Sequence, residues 1–141
     1  MAIEIRPAAP TDLDALASLD TVAAARPQRI GEIRQWIAAN QCFVALYGGE
    51  TAAYGVFNYH FFHAGMIEMI MVGADFRKKG IGAALLRHFS DICTTPKIWT
   101  STNLSNQPMQ NLIARAGFIA SGYIHNLDEH DPELIFVKVL T

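Results

Sequence analysis

The stretch VGADFRKKGIG, residues 72–82, places three consecutive cations before a pair of glycines at the entrance to a helical pattern. The cations are Arg77, Lys78 and Lys79, and the glycines are Gly80 and Gly82. A helix N-terminus exposes unpaired backbone N–H groups and carries about half a positive charge, so it attracts anions. Glycine lets an anion approach those groups without a Cβ in the way. The stretch therefore predicts a phosphate-binding helix start; its alternative is a solvated basic turn before an ordinary helix.

The two most familiar phosphate-loop patterns are absent from this chain. The sequence contains no GxxxxGK[ST], the loop that holds nucleoside triphosphates. It also lacks GxGxxG after Gly80, because Ala83, Ala84 and Leu85 follow Gly82. These absences argue against nucleotide hydrolysis of the P-loop kind and against dinucleotide binding.

The segments beside the basic loop predict a strand and a helix. The apolar stretch MIEMIMV, residues 66–72, predicts a strand buried on both faces. Residues 80–92 predict a helix with Ile81, Leu85, Phe89 and Ile92 on its core side.

The N-terminal half predicts two further helices between short strands. Residues 2–8 alternate as in a strand, and a helix follows from residue 10 with Thr11 as its cap. Residues 29–40 predict a helix with Ile30, Ile33 and Ile37 on one face. Residues 42–47 and 51–62 predict two strands around a tight glycine turn. The aromatic residues of 54–62 fit strand packing, and lining of a substrate cleft is the alternative.

The C-terminal half predicts one helix among three strands. The strands cover residues 97–101, 121–127 and 133–140, and the last two flank the loop DEHDP. Residues 106–118 predict a helix that Ser105 or Asn106 caps and Gly117 ends. Mixed strands and helices without a repeat or a linker predict one α/β domain over residues 1–141.

Composition narrows the class of protein. The chain has 141 residues, of which 51% are hydrophobic and 17% charged, as in an ordered globular domain. A net charge of -2 does not favour nucleic acid as a partner. Cys42 and Cys93 lack metal-ligand spacing, and His60 and His63, three apart in a strand, face opposite sides, so no metal is expected. Without an apolar leader or a membrane-length apolar run, the expected location is cytoplasmic, with no membrane partner.

Several segments together resemble the GNAT superfamily of acetyl-CoA-dependent N-acetyltransferases. RKKGIG, residues 77–82, matches its R/Q-x-x-G-x-G/A motif, and an apolar strand ends in Val72, five residues before Arg77. IRPAAPTDLDAL resembles the first strand and helix of the family, and NQPMQNLIARAGF resembles its later stretch from an asparagine to Gly-Phe. The resemblance implies a mixed, mostly antiparallel sheet of about seven strands with about four helices. It also implies acetyl-CoA as co-substrate.

The resemblance implies a set of cofactor-binding residues. In the family, the strand before the motif bends at a bulge and splays from its neighbour, and the pantetheine arm of coenzyme A pairs with its backbone. The loop after it wraps the pyrophosphate, and the later asparagine bonds the pantetheine arm. The corresponding residues here are Ile70, Met71, Val72, Arg77, Lys78, Lys79, Gly80, Ile81, Gly82, Ala83 and Asn106. For Asn106, a helix cap is the other role, and the two are compatible.

Acetyl transfer to an amine requires removal of a proton. An alkylammonium has a pKa of about 10.4, so only about one molecule in 10³ is neutral at pH 7. Glu68 is the candidate base, because it is the only acid in its apolar strand and an unpaired buried carboxylate is costly. Some polyamine- and aminoglycoside-acetylating relatives also carry a strand glutamate there. A glutamate that faces solvent or pairs with a cation is the alternative.

The proton donor to the departing thiolate is less evident. Many family members carry a tyrosine in the later helix, but Ile113 stands at the matching position here. Water, Tyr123 or Ser105 could supply the proton, and we take Tyr123 as the second candidate catalytic residue. Ile113 favours the alternative of a non-catalytic acyl-CoA-binding or sensing module.

The acceptor is expected to be a small-molecule amine or a protein amine, and the protein is expected to be a monomer or a homodimer. The last loop carries four acids, Asp128, Glu129, Asp131 and Glu133, and the family fold puts this connection near the acceptor entrance. Four carboxylates there would attract a cationic amine. An ordinary solvated hairpin loop is the alternative.

Overall fold

A computed structural model describes residues 1–140 as an α/β fold with one seven-stranded sheet. The strands are β1 (Ile3–Pro7), β2 (Cys42–Tyr47), β3 (Glu50–Phe61), β4 (Ala64–Val72), β5 (Lys97–Asn103), β6 (Ile119–Asp128) and β7 (Asp131–Val139). The helices are α1 (Leu13–Leu19), α2 (Gln28–Ala38), α3 (Ile81–Ile92) and α4 (Gln107–Arg115), with short 3-10 turns at Pro10–Asp12 and Ala74–Phe76. The strand order is β1-β2-β3-β4-β5-β7-β6. The predicted fold class is thereby confirmed.

The sheet is mixed, as expected. The pairs β1–β2, β2–β3, β5–β7 and β6–β7 are antiparallel, whereas β4 and β5 pair in parallel. Parallel neighbours need a crossover connection, and α3 supplies it here. The backbone contacts divide the chain into two compact units, and a single domain over residues 1–141 stays a prediction.

The first unit comprises residues 1–57 and 69–85. Its core joins α1 and α2 to β2 and β3 through seven buried residues: Leu16, Ile33, Ile37, Cys42, Val44, Tyr54 and Val56. Burial raises the pKa of the Cys42 thiol to about 12, as expected for an inert core cysteine. Two expectations are wrong. Ile30 is exposed rather than on the core face, and Thr11 lies inside the 3-10 turn without capping α1.

A buried polar network fastens the α1–α2 connection inside this unit. The Asp20 carboxylate accepts hydrogen bonds from the Tyr54 hydroxyl and from Arg29 Nη1, the latter at 3.1 Å. Asp20 also accepts from the backbone N–H of Val22 at 2.7 Å. Burial and the neighbouring Asp20 carboxylate raise the pKa of Tyr54, which stays a neutral donor. Because the buried charges are paired and hydrogen-bonded, the network orders the connection.

The second unit comprises residues 58–68 and those from Leu86 onward. β7 lies between β5 and β6, with Trp99 opposite Val137 and Thr100 opposite Phe136. Alternate residues of a strand face opposite sides. Ile98, Thr100 and Thr102 are buried, whereas Trp99 is half-buried on the other face. The two faces of this part of the sheet are therefore distinct.

The strand and helix beside the basic loop differ in part from expectation. β4 is not buried on both faces: Ile67 is buried, Glu68 is exposed, and Met69 to Val72 are half-buried. In α3 the buried residues include Ile81, Leu85, Leu86 and Phe89, but Ile92 is exposed. The buried face of α3 therefore ends at Phe89, one turn earlier than the pattern predicted.

Candidate active site

The start of α3 has the backbone geometry of an anion site. The Gly80 carbonyl accepts the first helical hydrogen bond, from the Ala84 N–H at 3.0 Å. The N–H groups of residues 80–83 therefore have no partner within the helix. Gly80 adopts a φ of +81°, which L side chains rarely adopt, while a Cβ there would meet no atom within 4 Å. Backbone conformation, rather than crowding, thus explains the glycine at this position.

The three cations of the loop have different surroundings. Arg77, Lys78 and Lys79 are all exposed. The ammonium of Lys79 lies 5.5 Å from the centre of the Tyr47 ring, a cation–π contact. Within residues 1–140, Arg77 and Lys78 form no ion pair. The loop therefore presents two unpaired cations, whereas the third also has a contact on the protein.

The end of β4 is held by its methionine side chains. The sulfur of Met69 lies 4.0 Å from Arg29 Nη1, and that of Met71 lies 3.8 Å from the Thr21 hydroxyl. Both methionines pack against the buried core of the first unit. These contacts involve side chains only, so the main-chain groups of Ile70, Met71 and Val72 keep their expected role as a prediction. The expected bulge also stays a prediction.

Glu68 directly follows the segment of β4 that pairs with β5. The parallel register runs from Gly65 opposite Ile98 to Ile67 opposite Thr100. The Glu68 side chain is exposed, and within residues 1–140 its carboxylate has no hydrogen bond or ion pair. The argument from a costly buried carboxylate is therefore wrong, although a base needs this kind of access. By strand alternation, Glu68 shares its face with Met66 and hence with Trp99, opposite Met66.

The start of α4 is closed by its own cap. The Asn106 side-chain oxygen accepts a hydrogen bond from the Met109 N–H at 3.2 Å, which confirms the predicted cap. Asn106 is an exposed residue, and this hydrogen bond does not use its side-chain amide nitrogen. Ile113 is fully buried, so the family position for a proton-donating tyrosine is a core position here.

The two suggested proton donors have unequal prospects. The Ser105 hydroxyl donates to the Asp131 carboxylate at 2.6 Å, so its proton already has an acceptor. Tyr123 is 64% exposed, and its ring contacts that of His125 at 5.0 Å. Because Tyr123 pairs with Leu134, which pairs with Thr102, these three share the face opposite to Trp99. The register thus directs the side chain of Tyr123 away from the face of Glu68, although Tyr123 also contributes to the lining of the cavity described below.

The acidic loop is smaller than the sequence suggested. β6 ends at Asp128 and β7 begins at Asp131, so only two residues connect them. The Asp128 carboxylate accepts from Asn103 Nδ2 at 2.8 Å, and that of Asp131 accepts from the Ser105 N–H at 3.0 Å. Two of the four acids therefore fasten the hairpin to β5 and to the turn before α4, which favours the structural alternative for them.

An apolar cavity on the second unit escaped the sequence interpretation. It measures about 600 Å³ and is lined by Phe61, Phe62, Ala64, Trp99, Ser121, Gly122, Tyr123, Ile124 and Ile135. The sequence pattern favours packing as the role of the aromatic residues of β3. No local signal in the sequence points to this cavity, because Phe62 and His63 form a two-residue turn without the glycine or asparagine that such turns favour.

Comparison with known proteins identifies the family. The model of the acetyltransferase (GNAT) family matches residues 12–118, most of the chain and all of the basic loop. The chain belongs to the GNAT acetyltransferase family. Comparison with curated proteins gives no match. Within residues 1–140 this GNAT protein has no group of three His, Cys, Asp or Glu side chains arranged to share a metal ion. None of its described helices has the length and apolar character of a membrane span.

Solved structures share the GNAT fold of this chain over nearly its whole length. An acetyltransferase of the GNAT family from Bacillus cereus ATCC 10987 is 29% identical, with a TM-score of 0.91 and coverage of 99% of this chain and 98% of that one. Ribosomal-protein-alanine N-acetyltransferase from Brucella melitensis is 19% identical, with a TM-score of 0.80 over 97% and 99%. A chain of the NatC complex bound to Gag peptide and CoA is 20% identical, with a TM-score of 0.77 over 100% of both. The last two likenesses show the fold alone.

Proposed function

We propose that this GNAT protein transfers the acetyl group of acetyl-CoA to a primary amine by direct attack in a ternary complex. The observation that carries the proposal is the start of α3. Four backbone N–H groups lack helical partners there, glycine adopts a positive φ, and two cations without an ion pair to any described residue lie beside it. Pyrophosphate is the anion that this arrangement suits, and coenzyme A contains one.

The proposed cofactor-binding residues each offer a group that coenzyme A can use. The N–H groups of Gly80, Ile81, Gly82 and Ala83 would hold the pyrophosphate, with Arg77 and Lys78 adding charge and Lys79 at the edge. Main-chain groups of Ile70, Met71 and Val72 would bind the pantetheine arm. Asn106 can cap α4 with its oxygen and still donate from its amide nitrogen to that arm. Bound acetyl-CoA supplies an activated thioester.

Glu68 is the proposed general base. Its exposed, unpaired carboxylate can accept the proton of an alkylammonium, directly or through one water, which frees the nitrogen lone pair for attack on the thioester carbonyl. No covalent bond to the enzyme forms in this reaction. Water is the proposed source of the proton that returns to the thiolate, because the register places the side chain of Tyr123, the other candidate, on the face opposite to Glu68. A thiolate also leaves without a strong proton donor, because its conjugate acid has a pKa of about 8.5.

The alternative is a non-catalytic acyl-CoA-binding module, favoured by the buried Ile113. The deciding experiment incubates the protein with acetyl-CoA and a panel of primary amines while free thiol is measured. We expect thiol release that depends on the amine. Tight CoA binding with no amine-dependent thiol release would instead support the module.

The role of Glu68 has its own test. Glu68→Gln should lower kcat about 10²- to 10⁴-fold at neutral pH and leave the Kd for CoA unchanged, because the base is removed and the loop is not. The deficit should shrink as the pH rises towards the amine pKa. Glu4→Gln, an exposed carboxylate in β1, is the matched control and should retain the parent kcat. A Glu68→Gln rate within a few-fold of the parent would remove Glu68 from the mechanism.

A further inference from the structure

The cavity on the second unit has an aromatic wall built around one ring. Phe61 contacts Trp99, with ring centres 5.1 Å apart, and also contacts Phe62 edge-to-face at 5.1 Å. Ile124 and Ile135 complete the apolar lining, and no lining residue carries a charge. A volume of about 600 Å³ lies within the range of small-molecule sites. The cavity therefore suits an uncharged apolar group, and its volume has room for an aromatic ring with further atoms attached.

Two backbone irregularities shape this cavity. Phe62 and His63 form the β3–β4 turn with φ values of +52° and +65°, although such turns favour asparagine and glycine. Phe62 is 87% exposed, so its ring is held at the surface despite the strained backbone. On the other side, the register of β6 shifts between Ala120 and Gly122, and this bulge places Ser121 in the lining. Strain and a bulge at one cavity are typical of a functional site.

The cavity also lies on the sheet face that carries the proposed base. Trp99 of β5 pairs with Met66 of β4. Glu68 follows Met66 by two residues along β4, a rise of about 6.6 Å. A ring seated at this wall would direct an amine two or three bonds away along the face that carries Glu68. A polar diamine of similar length would leave a charged group against an uncharged aromatic wall, which costs solvation energy.

We propose that the cavity between Phe61, Trp99 and Ile124 receives the apolar ring of a small arylalkylamine acceptor. This inference rests on the proposed acetyl transfer and names the acceptor class for it. The charged group that the acceptor presents is its ammonium, which faces Glu68, while its ring stacks beside Phe61 and Trp99. Asp128 and Asp131 of the β6–β7 hairpin then fasten the structure rather than select a polycation.

The kinetic test compares 2-phenylethylamine with 1,4-diaminobutane as acceptors for acetyl-CoA. We expect a kcat/KM at least about tenfold higher for 2-phenylethylamine, since burial of a ring adds more affinity than a second ammonium. Phe62→Asn removes the exposed ring and keeps a residue that tolerates positive φ. It should raise the KM for 2-phenylethylamine about three- to tenfold and leave the KM for acetyl-CoA unchanged.

The matched control is His130→Asn, which changes an exposed residue of positive φ, +62°, in the two-residue β6–β7 turn. It should leave both KM values at the parent level. Equal or better use of 1,4-diaminobutane, with no effect of Phe62→Asn, would overturn the arylalkylamine proposal while acetyl transfer stands.

A binding test separates this proposal from the proposed function. The chain has two tryptophans, so Trp36→Phe leaves Trp99 as the sole indole reporter at the cavity wall. We expect 2-phenylethanol, which lacks the amine, to change Trp99 fluorescence saturably and about three- to tenfold more weakly in a Trp36→Phe/Phe62→Asn variant. Saturable binding of 2-phenylethanol, together with no thiol release from acetyl-CoA in the presence of any amine, would support the cavity and overturn acetyl transfer. No saturable response would overturn the cavity assignment, whichever amines are acetylated.

Discussion

The starts of α3 and α4 solve the same problem in opposite ways. Each helix leaves backbone N–H groups without helical partners. At α4 the Asn106 side-chain oxygen accepts a hydrogen bond from one of these N–H groups, that of Met109. Pro108, near the start of the helix, has no N–H group that needs a partner. At α3 glycine stands before the first helical residue, no side chain can cap from that position, and exposed cations precede it. A helix start closed by its own side chain serves stability, whereas one left open next to positive charge serves an anion.

The largest expected effect falls on the open start. Gly82→Val places a branched side chain among the N–H groups of α3, so the Kd for CoA measured by calorimetry should rise at least about 100-fold through loss of charge-assisted hydrogen bonds. Gly31→Val is the matched control, because Gly31 lies in α2 with no atom within 4 Å of its missing Cβ. Unchanged CoA affinity in folded Gly82→Val would mean that α3 is not the anion site.

A substitution at a helix start that is closed by its own side chain should change the stability of the protein, and the change should depend on pH. Ahead of α1, the Asp12 carboxylate accepts from the Ala9 N–H at 2.7 Å and from Arg6 at 2.9 Å. The hydrogen bond from Arg6 holds the pKa of Asp12 below its usual value of 3.8. The contribution of Asp12 to stability is therefore present above that value and lost as the pH falls through the lower folded pKa. Asp12→Asn should lower the free energy of unfolding by about 1–2 kcal/mol at pH 7.

Urea unfolding at pH 7 and at pH 3 checks this window. The difference between Asp12→Asn and the parent should narrow at pH 3, because the parent carboxylate then begins to take up a proton. CoA affinity should be the same in both proteins. A difference in unfolding free energy that stays constant with pH would assign the effect to packing instead of charge.

The start of α4 allows the two roles of Asn106 to be separated. Asn106→Ser keeps a capping oxygen but loses the amide donor, and Asn106→Ala loses both. We expect Asn106→Ala to cost about 1 kcal/mol in urea unfolding and Asn106→Ser only a few tenths. Both should raise the Kd for CoA about two- to tenfold if the amide binds the pantetheine arm. Parent affinity in Asn106→Ser would restrict Asn106 to capping.

The smallest effect is expected from the exposed cations. Replacing Arg77 and Lys78 together with glutamine should raise the Kd for CoA a few-fold at low salt, and the difference should fade above about 0.1 M salt as screening takes over. Lys97→Gln, an exposed cation at the start of β5, is the control and should bind CoA as the parent does. A salt-independent loss would point to a direct, poorly solvated contact.

The contrast between two tight turns shows why the aromatic cavity escaped prediction. The β2–β3 turn uses Gly48 and Gly49 with φ values of +56° and +86°, and sequence alone predicts it. The β3–β4 turn uses Phe62 and His63 with the same signs of φ. No local preference predicts that choice, so the sequence pattern extends the predicted strand through Phe62. Likewise, Glu68 looked buried because its neighbours along the chain are apolar, yet solvent reaches its side of the strand.

Local chemistry by itself determined the strands, the helices, the glycine-opened start of α3, the Asn106 cap and the family motif. Each depends on neighbours within a few residues, where backbone conformation and capping preferences act. Tertiary structure alone decided which carboxylates are exposed, that Asp128 and Asp131 fasten a hairpin, and that Phe61, Trp99 and Ile124 share one wall. The partners of those residues lie on distant strands, and register fixes which side chains meet, because a shift of one residue turns every side chain to the other face.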